Sequence, residues 1–488
     1  MLTLIFLSSG LFFGWSLGAN DASNMWGTAV STKMVRFRTA ALLASLFVIL
    51  GSTLSGEGAS HTLGKLGAVN EFAGAFMVVF SAGLTVFWMT KLNLPVSTSQ
   101  AIVGSIIGWN FFAGMLTDFN VLAKIVSSWV TSLILAALFS SLLFIAYKKL
   151  LPLLKISIFR LDSYIRIGLI ALGAFGSYAL GANNIANVMG VFVPISPFRS
   201  LRLGPLEFTS TEQLFLIGSI AIAVGIFTYS QRVMATIGEK VVKLTPQTAL
   251  VVILAAALVQ FLFASQGLHN FLVRYHLPAL PLVPVSSSQL VIGAVVGIGI
   301  AGRNWKNINY RILGRIASGW VTTPVIAAGV TFLCLFFLQN VFDQRVYRKV
   351  EYEITEPVVA RLNQEGIPLK IEDYEGQYKN ILQFHKALTL QNYEKQVADK
   401  ICTFAEVDPL LISNTNKFRK NVARWFRPAE INSILGLENR SFRHRWQLFE
   451  ALQASSPVWR LSEKATAAQR SAQERKLEYI FNYFRVNQ

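Results

Sequence analysis

The chain has 488 residues, of which 53% are hydrophobic and 14% charged, and its mean hydropathy is +0.47. This composition is too apolar for a soluble enzyme and is typical of a polytopic membrane protein. The net charge of +18 would suit a nucleic-acid-binding protein. Membrane topology explains most of the basic residues in the first 341 positions, however, so the sequence predicts no nucleic-acid partner.

Ten apolar segments precede residue 342, and several approach the roughly 20 residues that a membrane-spanning helix needs. Acidic side chains are scarce there, since residues 1–341 hold eight of them and residues 342–488 hold the other 18. We therefore predict an all-α membrane unit followed by a mostly helical soluble domain over 342–488. The segments lie at about 3–32, 40–55, 72–90, 96–116, 122–147, 166–196, 213–230, 247–265, 284–301 and 318–341.

Basic residues are concentrated in alternate loops between these segments. The odd-numbered loops hold 16 Lys and Arg residues and the even-numbered loops hold five. By the positive-inside rule the odd loops are cytoplasmic, and ten crossings then place both termini on the outer side of the cell membrane. A re-entrant hairpin formed by 72–90 and 96–116 would leave this sidedness unchanged.

A polar, glycine-led motif occurs twice inside apolar sequence. Gly18-Ala19-Asn20-Asp21 recurs after 163 residues as Gly181-Ala182-Asn183-Asn184. Lipid offers no partner to a freed backbone group, so we expect a helix break at each motif that lines a wet cavity. The cavity residues predicted from the two motifs are Asn20, Asp21, Asn24, Asn183, Asn184 and Asn187.

Two further motifs repeat in the same order. Pro95-Val96-Ser97-Thr98-Ser99-Gln100 recurs after 189 residues from Pro284, and Trp129-Val130-Thr131-Ser132 recurs after 191 residues from Trp320. Each half then has about five segments, and an odd number makes the second copy enter the membrane in the opposite sense. The sequence thus predicts two inverted repeats with broken helices, over 1–160 and 161–341, with a site where the halves meet.

The hydroxyl-rich motifs are typical of helix N-termini, where side chains cap free backbone N–H groups. Such ends attract anions, and two opposed clusters of donors suit a tetrahedral oxyanion. For a single motif, simple capping of the helix would be the favoured explanation of the hydroxyls, but the matched pair favours a binding site. The predicted anion-binding residues are Ser97, Thr98, Ser99, Gln100, Ser286, Ser287, Ser288 and Gln289.

Asp21 is the one carboxylate among residues 1–32. An ionisable group inside the membrane is costly and indicates a functional site. Its oxygens, with those of the nearby amides, are hard ligands that suit Na⁺, or Asp21 could carry a proton. The alternative role is an N-cap carboxylate for the following helix. No H-E-x-x-H or G-x-S-x-G motif and no P-loop occurs, so the sequence predicts neither an enzyme nor a cofactor beyond a coupling ion.

These motifs resemble those of the inorganic phosphate transporter (PiT) family, which carries a Gly-Ala-Asn-Asp motif in each half and a later Pro-Val-Ser-Thr-Thr-His motif. The resemblance covers about residues 1–341 and extends to the stretch from Arg232 to Lys240. It implies a secondary transporter that imports inorganic phosphate by symport with Na⁺ or H⁺, embedded in a lipid bilayer as a homodimer. A channel is the alternative class, and matched anion sites in two repeats favour a carrier.

The sequence departs from the family pattern at several positions. The second aspartate of the family is Asn184 here, and the motif histidines are Gln100 and Gln289. Acidic residues of the family also align with Val48 and Ile253. Fewer carboxylates leave Na⁺ and H⁺ coupling both open. They also leave sulfate, which some relatives carry, as the alternative to phosphate, because sulfate near pH 7 has no proton to donate to a second carboxylate.

Overall fold

The computed structural model describes residues 5–67, 69–91, 96–154, 156–198, 201–203, 206–234, 245–302, 310–348, 350–369, 377–378, 381–391, 393, 395–422, 425–460 and 467–486. The chain forms two compact units, Met1–Arg348 and Lys349–Gln488, and each is described by itself. Pro95 of the first hydroxyl motif and most of the stretch from Arg232 to Lys240 lie outside the described residues.

The first unit is almost entirely helical. One short antiparallel hairpin, β1 (Leu201–Leu203) with β2 (Leu206–Phe208), precedes α8. The helices are α1 (Ser8–Ser31), α2 (Phe37–Ser55), α3 (Glu57–Leu66), α4 (Phe72–Lys91), α5 (Thr98–Ala113), α6 (Phe119–Leu150), α7 (Ile158–Met189), α8 (Ser210–Thr228), α9 (Pro246–Leu262), α10 (Gln266–Arg274), α11 (Ser287–Ala301) and α12 (Tyr310–Asn340).

Six helices in the described part of the chain are long and apolar enough to cross a membrane, or seven if the bent pair α9 and α10 forms one span. The axes of that pair differ by 66°. Helices α5 and α11 have only 16 and 15 residues, which is short for a bilayer. The chain is therefore a multi-pass α-helical membrane protein, but its ten apolar segments do not form ten full-length spans.

The predicted helix breaks at Asn20 and Asn183 are wrong. Helix α1 is continuous from Ser8 to Ser31, and α7 is continuous from Ile158 to Met189. An unbroken helix satisfies its own backbone groups, so only the polar side chains of the two motifs require partners, and neighbouring elements supply them. The interruptions occur instead before α5 and α11, where Ser97 and Ser286 are extended N-cap residues.

Helix α1 packs on α8, and α2 packs on α7. Both pairs approach closely at a motif glycine, because a Cβ on Gly18 would collide with the Ile222 carbonyl and one on Gly181 with the Val48 carbonyl. Close approach of helix backbones through small residues is a typical mode of packing in membranes. The opening glycine of each repeat therefore serves the same packing role in each half.

The second pair of packed helices shows the same correspondence. Helix α5 packs on α12, and α11 packs on α6. A Cβ on Gly104 would collide with the Pro324 carbonyl, and one on Gly293 with the Leu133 carbonyl. The repeat offset of 189 residues relates the two glycines, and the offset of 191 residues relates the two carbonyls they face.

Helices α4 and α5 form a hairpin whose two open ends lie together. The Trp109 indole N–H, near the end of α5, donates to the Val346 carbonyl over 3.1 Å. A Cβ on Gly74, at the start of α4, would meet that same carbonyl. The closed end of the hairpin reaches the middle of α1, because Thr98 contacts Asp21 there. This hairpin therefore enters and leaves the unit on one side.

The second unit is mostly helical with small sheets. Strand β3 (Glu351–Glu353) pairs antiparallel with β4 (Gln377–Tyr378) and β5 (Glu406–Val407), and β6 (Leu410–Leu411) pairs with β7 (Ser441–Phe442). The helices are α13 (Glu356–Gln364), α14 (Ile381–Leu390), α15 (Lys395–Ala405), α16 (Thr415–Val422), α17 (Pro428–Leu435), α18 (Arg445–Ser455) and α19 (Ala467–Phe484).

Two apolar clusters form the core of this unit, one around Phe384 and one around Phe418. His444 is also buried, and its Nδ1 bonds the Glu406 carbonyl over 2.7 Å. Burial lowers the pKa of the His444 imidazole below its usual range. Because the carbonyl can only accept, Nδ1 carries the proton, and the buried Nε2 has no hydrogen-bond partner.

A buried carboxylate near His444 holds the C-terminal helix. Asp408 accepts hydrogen bonds from Arg445 over 2.7 Å and from Arg485 over 2.6 Å. Burial alone would raise the pKa of the Asp408 carboxyl, but the two guanidinium groups outweigh it and hold that pKa below its ordinary value. Deleting Arg485 would leave this carboxylate only partly compensated.

Candidate functional site

The Asp21 carboxylate lies at the centre of the first unit and is 2% exposed. Oδ1 accepts a hydrogen bond from the Asn20 amide over 2.9 Å. Oδ2 accepts one from the Thr98 hydroxyl over 3.0 Å and one from the Asn184 amide over 3.3 Å. The Ser287 side chain lies close enough to interact with this carboxylate and accepts a hydrogen bond from Asn24. Asp21 therefore lies where both glycine-led motifs meet both hydroxyl motifs.

The N-termini of α5 and α11 meet at this carboxylate. The Ser97 hydroxyl accepts from the Gln100 backbone N–H over 3.3 Å, and that of Ser286 accepts from the Gln289 N–H over 3.4 Å, so each caps its helix as the sequence predicts. The Ser99 hydroxyl donates to the Val285 carbonyl over 3.1 Å and ties one helix start to the other. The positive ends of two helix dipoles thus lie around one buried site.

The asparagines link the halves across the site. The Asn24 amide donates to the Ser287 hydroxyl over 3.0 Å, and the Asn187 amide donates to the Ser99 hydroxyl over 2.9 Å. Asn187 also donates to the Asn184 carbonyl oxygen over 3.4 Å, which leaves the Asn184 amide group directed at Asp21. Each half therefore provides an amide to the hydroxyl cluster of the other half.

Two predicted site residues are engaged elsewhere. The amide of Asn183 donates to the Val283 carbonyl over 2.9 Å, and its oxygen accepts from the Val285 N–H over 2.8 Å. Asn183 therefore fixes the extended chain before α11. The hydroxyl of Ser288 pairs with that of Ser286 over 3.0 Å and contacts no asparagine among the described bonds.

Several buried acceptors near the site lack partners. The carbonyl oxygens of Gln100, Gln289 and Asn187 are buried without a hydrogen bond among the described residues. Buried amide oxygens normally have a donor, so each requires one from a ligand, a water molecule or a cation. The two glutamines lie at matched positions in the first turns of α5 and α11. Each helix start therefore carries one side-chain oxygen that requires a donor.

A small cavity of about 20 Å³ adjoins the site and includes Asn20 in its wall. Sequence reasoning missed its other polar lining, above all Lys91, which it counted only as a loop charge. The available indication was position, because Lys91 is the one charged residue between Glu71 and Asp118. The lining residues are Trp15, Ser16, Ala19, Asn20, Phe87, Thr90, Lys91, Tyr229 and Val233.

The described residues contain no group of three or more His, Cys, Asp or Glu side chains that could hold a metal ion. A cation at Asp21 would therefore bind one carboxylate together with neutral oxygens. Thr98 and Asn184 lie close enough to supply them after their hydroxyl and amide groups turn. Neutral hydroxyl and amide oxygens around a single carboxylate form a hard, weakly charged ligand set, which suits a monovalent cation or a proton better than a divalent metal.

The fold and the enclosed polar site define a multi-pass α-helical membrane protein with a binding centre between two helix N-termini. Comparison with known families gives a match to the phosphate transporter family (PHO4) over residues 17–269 and 276–487. The chain belongs to this family. The match extends to residue 487, so the second unit is included in it, whereas the resemblance seen in the sequence motifs ends near residue 341.

Individual relatives agree with this assignment. A provisionally named phosphate permease of Methanocaldococcus jannaschii is 27% identical over 317 residues, covering 65% of this chain and 91% of its own length. The chloroplastic inorganic phosphate transporter 2-1 of Arabidopsis thaliana is 24% identical over 68% of this chain and 71% of its own. A solved structure described as the sodium-dependent phosphate transporter has the same fold, with a TM-score of 0.57 at 23% identity, over 70% of this chain and 99% of that one.

Proposed function

We propose that this protein is a secondary active transporter that imports inorganic phosphate by symport with Na⁺ or H⁺. The observation that carries the proposal is the position of Asp21, which accepts a hydrogen bond from Thr98 at the start of α5 and lies beside Ser287 at the start of α11. Family membership and the names of the relatives support phosphate as the anion. A permease needs no catalytic residues, which agrees with the absence of enzyme motifs.

The anion would bind between the two helix starts. Backbone N–H groups and hydroxyls there provide neutral donors, and the two helix dipoles favour negative charge. In the present arrangement Thr98 and Ser99 donate to protein oxygens, so their hydroxyls must rotate to reach an anion. A protonated phosphate could also donate to the unpartnered oxygens of Gln100 and Gln289.

A coupling cation follows from charge balance. An oxyanion placed beside the buried Asp21 carboxylate would be repelled, and the neighbouring Asn184 is neutral. Binding a Na⁺ ion or a proton at Asp21 removes that repulsion, so anion and cation bind better together than alone. The similar solved structure is described as a sodium-dependent phosphate transporter, which makes Na⁺ the first cation to test.

Alternating access would use the two halves as inverted repeats. The matched packing of α1 on α8 and α2 on α7, and of α5 on α12 and α11 on α6, supports this proposal. Exposure of the site differs between the halves, because Asn20 and Asn24 are partly exposed whereas Asn184 and Asn187 are fully buried. This asymmetry is what a carrier open toward one side would have.

We also propose that both termini lie outside the cell. Treating α4 and α5 as a hairpin removes only Lys91 from the odd loops, which then hold 15 basic residues against five, so the sidedness is unchanged. The test labels single cysteines in intact cells with an impermeant thiol reagent, in a chain lacking Cys402. A cysteine placed near Gln488 should be labelled and one in the 148–160 loop should stay protected, and the reverse pattern would overturn the assignment.

Transport assays in proteoliposomes test the proposed function. Labelled phosphate should accumulate against its gradient when a Na⁺ or pH gradient is imposed, and it should exchange in counterflow. Unlabelled sulfate at equal concentration should compete weakly, whereas equal or stronger competition would make the protein a sulfate permease. Purely downhill flux without counterflow would indicate a channel.

A further inference from the structure

The small cavity beside Asn20 lies where the closed end of the α4 and α5 hairpin meets α1. Lys91 is the last residue of α4 and, like Thr90, lines this cavity together with Asn20. The volume of about 20 Å³ is room for a water molecule, so an oxyanion could enter only when the walls separate. Asn20 itself bonds Asp21, which leaves a single side chain between the cavity and the carboxylate.

The charge of Lys91 has no counterpart in the cavity wall. The ammonium lies 4.7 Å from the centre of the Phe87 ring, and the residues that line the cavity include no carboxylate. A lysine inside a membrane unit is costly unless it faces water or a charged partner. The hairpin places Lys91 beside the middle of α1, where it lines the cavity. This position favours a role at the cavity over a role as a positive charge in a cytoplasmic loop.

The cavity also lies on the accessible side of the site. Asn20, Asn24 and Thr28 of α1 are partly exposed, are spaced four apart and lie on one helix face. The corresponding asparagines of α7 are fully buried. Of the three α1 residues Asn20 also lines the cavity, and Lys91 in the same wall is exposed, so the cavity connects the surroundings of Asp21 with the surface at Lys91.

We propose that Lys91 forms a transient binding position for the transported oxyanion, between the Asp21 site and water at the exposed edge of this cavity. The ammonium provides the attraction, and Thr90 and Asn20 provide neutral hydrogen-bonding groups. This inference rests on the proposed function, since it assumes an anionic cargo. The inference assigns Lys91 to the transport path. Its position between two apolar segments would by itself indicate only a loop charge that sets membrane orientation.

The test replaces the charge of Lys91 and restores it chemically. The background is a Cys334→Ala, Cys402→Ser chain in proteoliposomes, whose phosphate uptake first tests the proposed function by itself. Lys91→Cys in this background should raise the phosphate KM on the Lys91 side roughly three- to tenfold. A methanethiosulfonate reagent that adds an ammonium should restore the KM, and one that adds a sulfonate should raise it further.

A protection assay reports on the anion directly. Saturating phosphate should slow modification of the cysteine at position 91 by the sulfonate reagent several-fold. The matched control is Lys148, which lies in the last turn of α6, 4.8 Å from the Phe144 ring, and does not line the cavity. Lys148→Cys should show no change of KM and no protection by phosphate.

The outcomes separate the two ideas. If the background chain takes up no phosphate, the proposed function is wrong. If it transports phosphate but the cation-adding and anion-adding reagents have the same effect, or phosphate gives no protection, then Lys91 is not a binding position. Should Lys91→Cys fail to insert, Lys91→Arg and Lys91→Gln decide by the same criterion, since only the arginine variant should keep the wild-type KM.

Discussion

The Thr98 hydroxyl donates a 3.0 Å hydrogen bond to the Asp21 carboxylate, across 77 residues of sequence. Asp21 belongs to the glycine-led motif in the middle of α1, and Thr98 is the first residue of α5. Because Ser287 lies beside the same carboxylate, both helix starts lie at one acidic group. A substitution at either helix start should therefore change the environment of the Asp21 carboxylate.

Removing either hydroxyl should weaken substrate binding. Thr98→Val and Ser287→Ala each delete one donor, and a hydrogen bond to a charged group contributes about 1.5–3 kcal/mol, or roughly 10- to 150-fold in affinity. Phosphate KM in proteoliposomes measures the effect. The control is Thr85→Val, because the Thr85 hydroxyl is buried but bonds only the Ser81 carbonyl of its own helix. An effect of Thr98→Val alone would contradict a site shared by the two helix starts.

A second carboxylate at position 184 should make phosphate uptake depend more strongly on Na⁺ or protons. The Asn184 amide nitrogen is 3.3 Å from Asp21 Oδ2, so Asn184→Asp would place two carboxylates in contact. Like charges at that distance cannot both ionise without a cation or a proton. We expect uptake to depend more steeply on Na⁺ concentration or on pH than in the wild type.

Asn184→Ala provides the control for that substitution, because it removes the amide donor without adding charge. The alanine variant should lower the uptake rate but keep the wild-type steepness. Identical cation dependence in the aspartate variant and the wild type would argue against a cation at Asp21.

Close helix packing predicts a large effect of adding one methyl group. A Cβ on Gly104 would collide with the Pro324 backbone carbonyl, so Gly104→Ala must separate α5 from α12. Overpacking of this kind costs about 1–3 kcal/mol, and backbone on both sides leaves little room for relaxation. Thermal unfolding in detergent should show a lower midpoint. Gly329→Ala, in α12 with open space around it, should be tolerated, and equal midpoints for the two variants would contradict the packing.

The sequence predicted correctly that the N-termini of α5 and α11 lie at one site. It predicted breaks in α1 and α7 that the structure does not have. Repetition of the motif at Ser97 and Ser286 was visible locally, and so was the isolation of Asp21. Continuity of α1 and α7 was not visible, because the partners that satisfy Asn183 and Asn187 come from residues about 90 to 100 positions away. Lys91 was missed for the same reason, since its importance depends on which helix the hairpin reaches.

The second unit should lose stability as the pH falls below the ordinary histidine range. Burial lowers the pKa of His444 in the folded state, so the unfolded state binds a proton more readily. The contribution is complete above the unfolded pKa of about 6.5 and decreases as the pH falls toward the lower, folded value. Amide hydrogen exchange of α18 in the full chain, corrected for intrinsic rates, measures it.

His444→Asn is the matched variant for that experiment. The asparagine amide can still donate to the Glu406 carbonyl but cannot titrate. Protection of α18 should then be nearly independent of pH between about 5 and 7. If wild type and variant show the same pH dependence, His444 is not the titrating group.

Gradient-driven uptake by the wild type and by Asp21→Asn, compared in the same proteoliposomes, tests the central claim most directly. The wild type should accumulate labelled phosphate above its outside concentration when an inward Na⁺ or proton gradient is imposed. Asp21→Asn should insert and fold but lose this accumulation, because the amide can neither bind the cation strongly nor carry the proton. Accumulation by the variant at the wild-type rate, with the same ion dependence, would contradict the role assigned to Asp21.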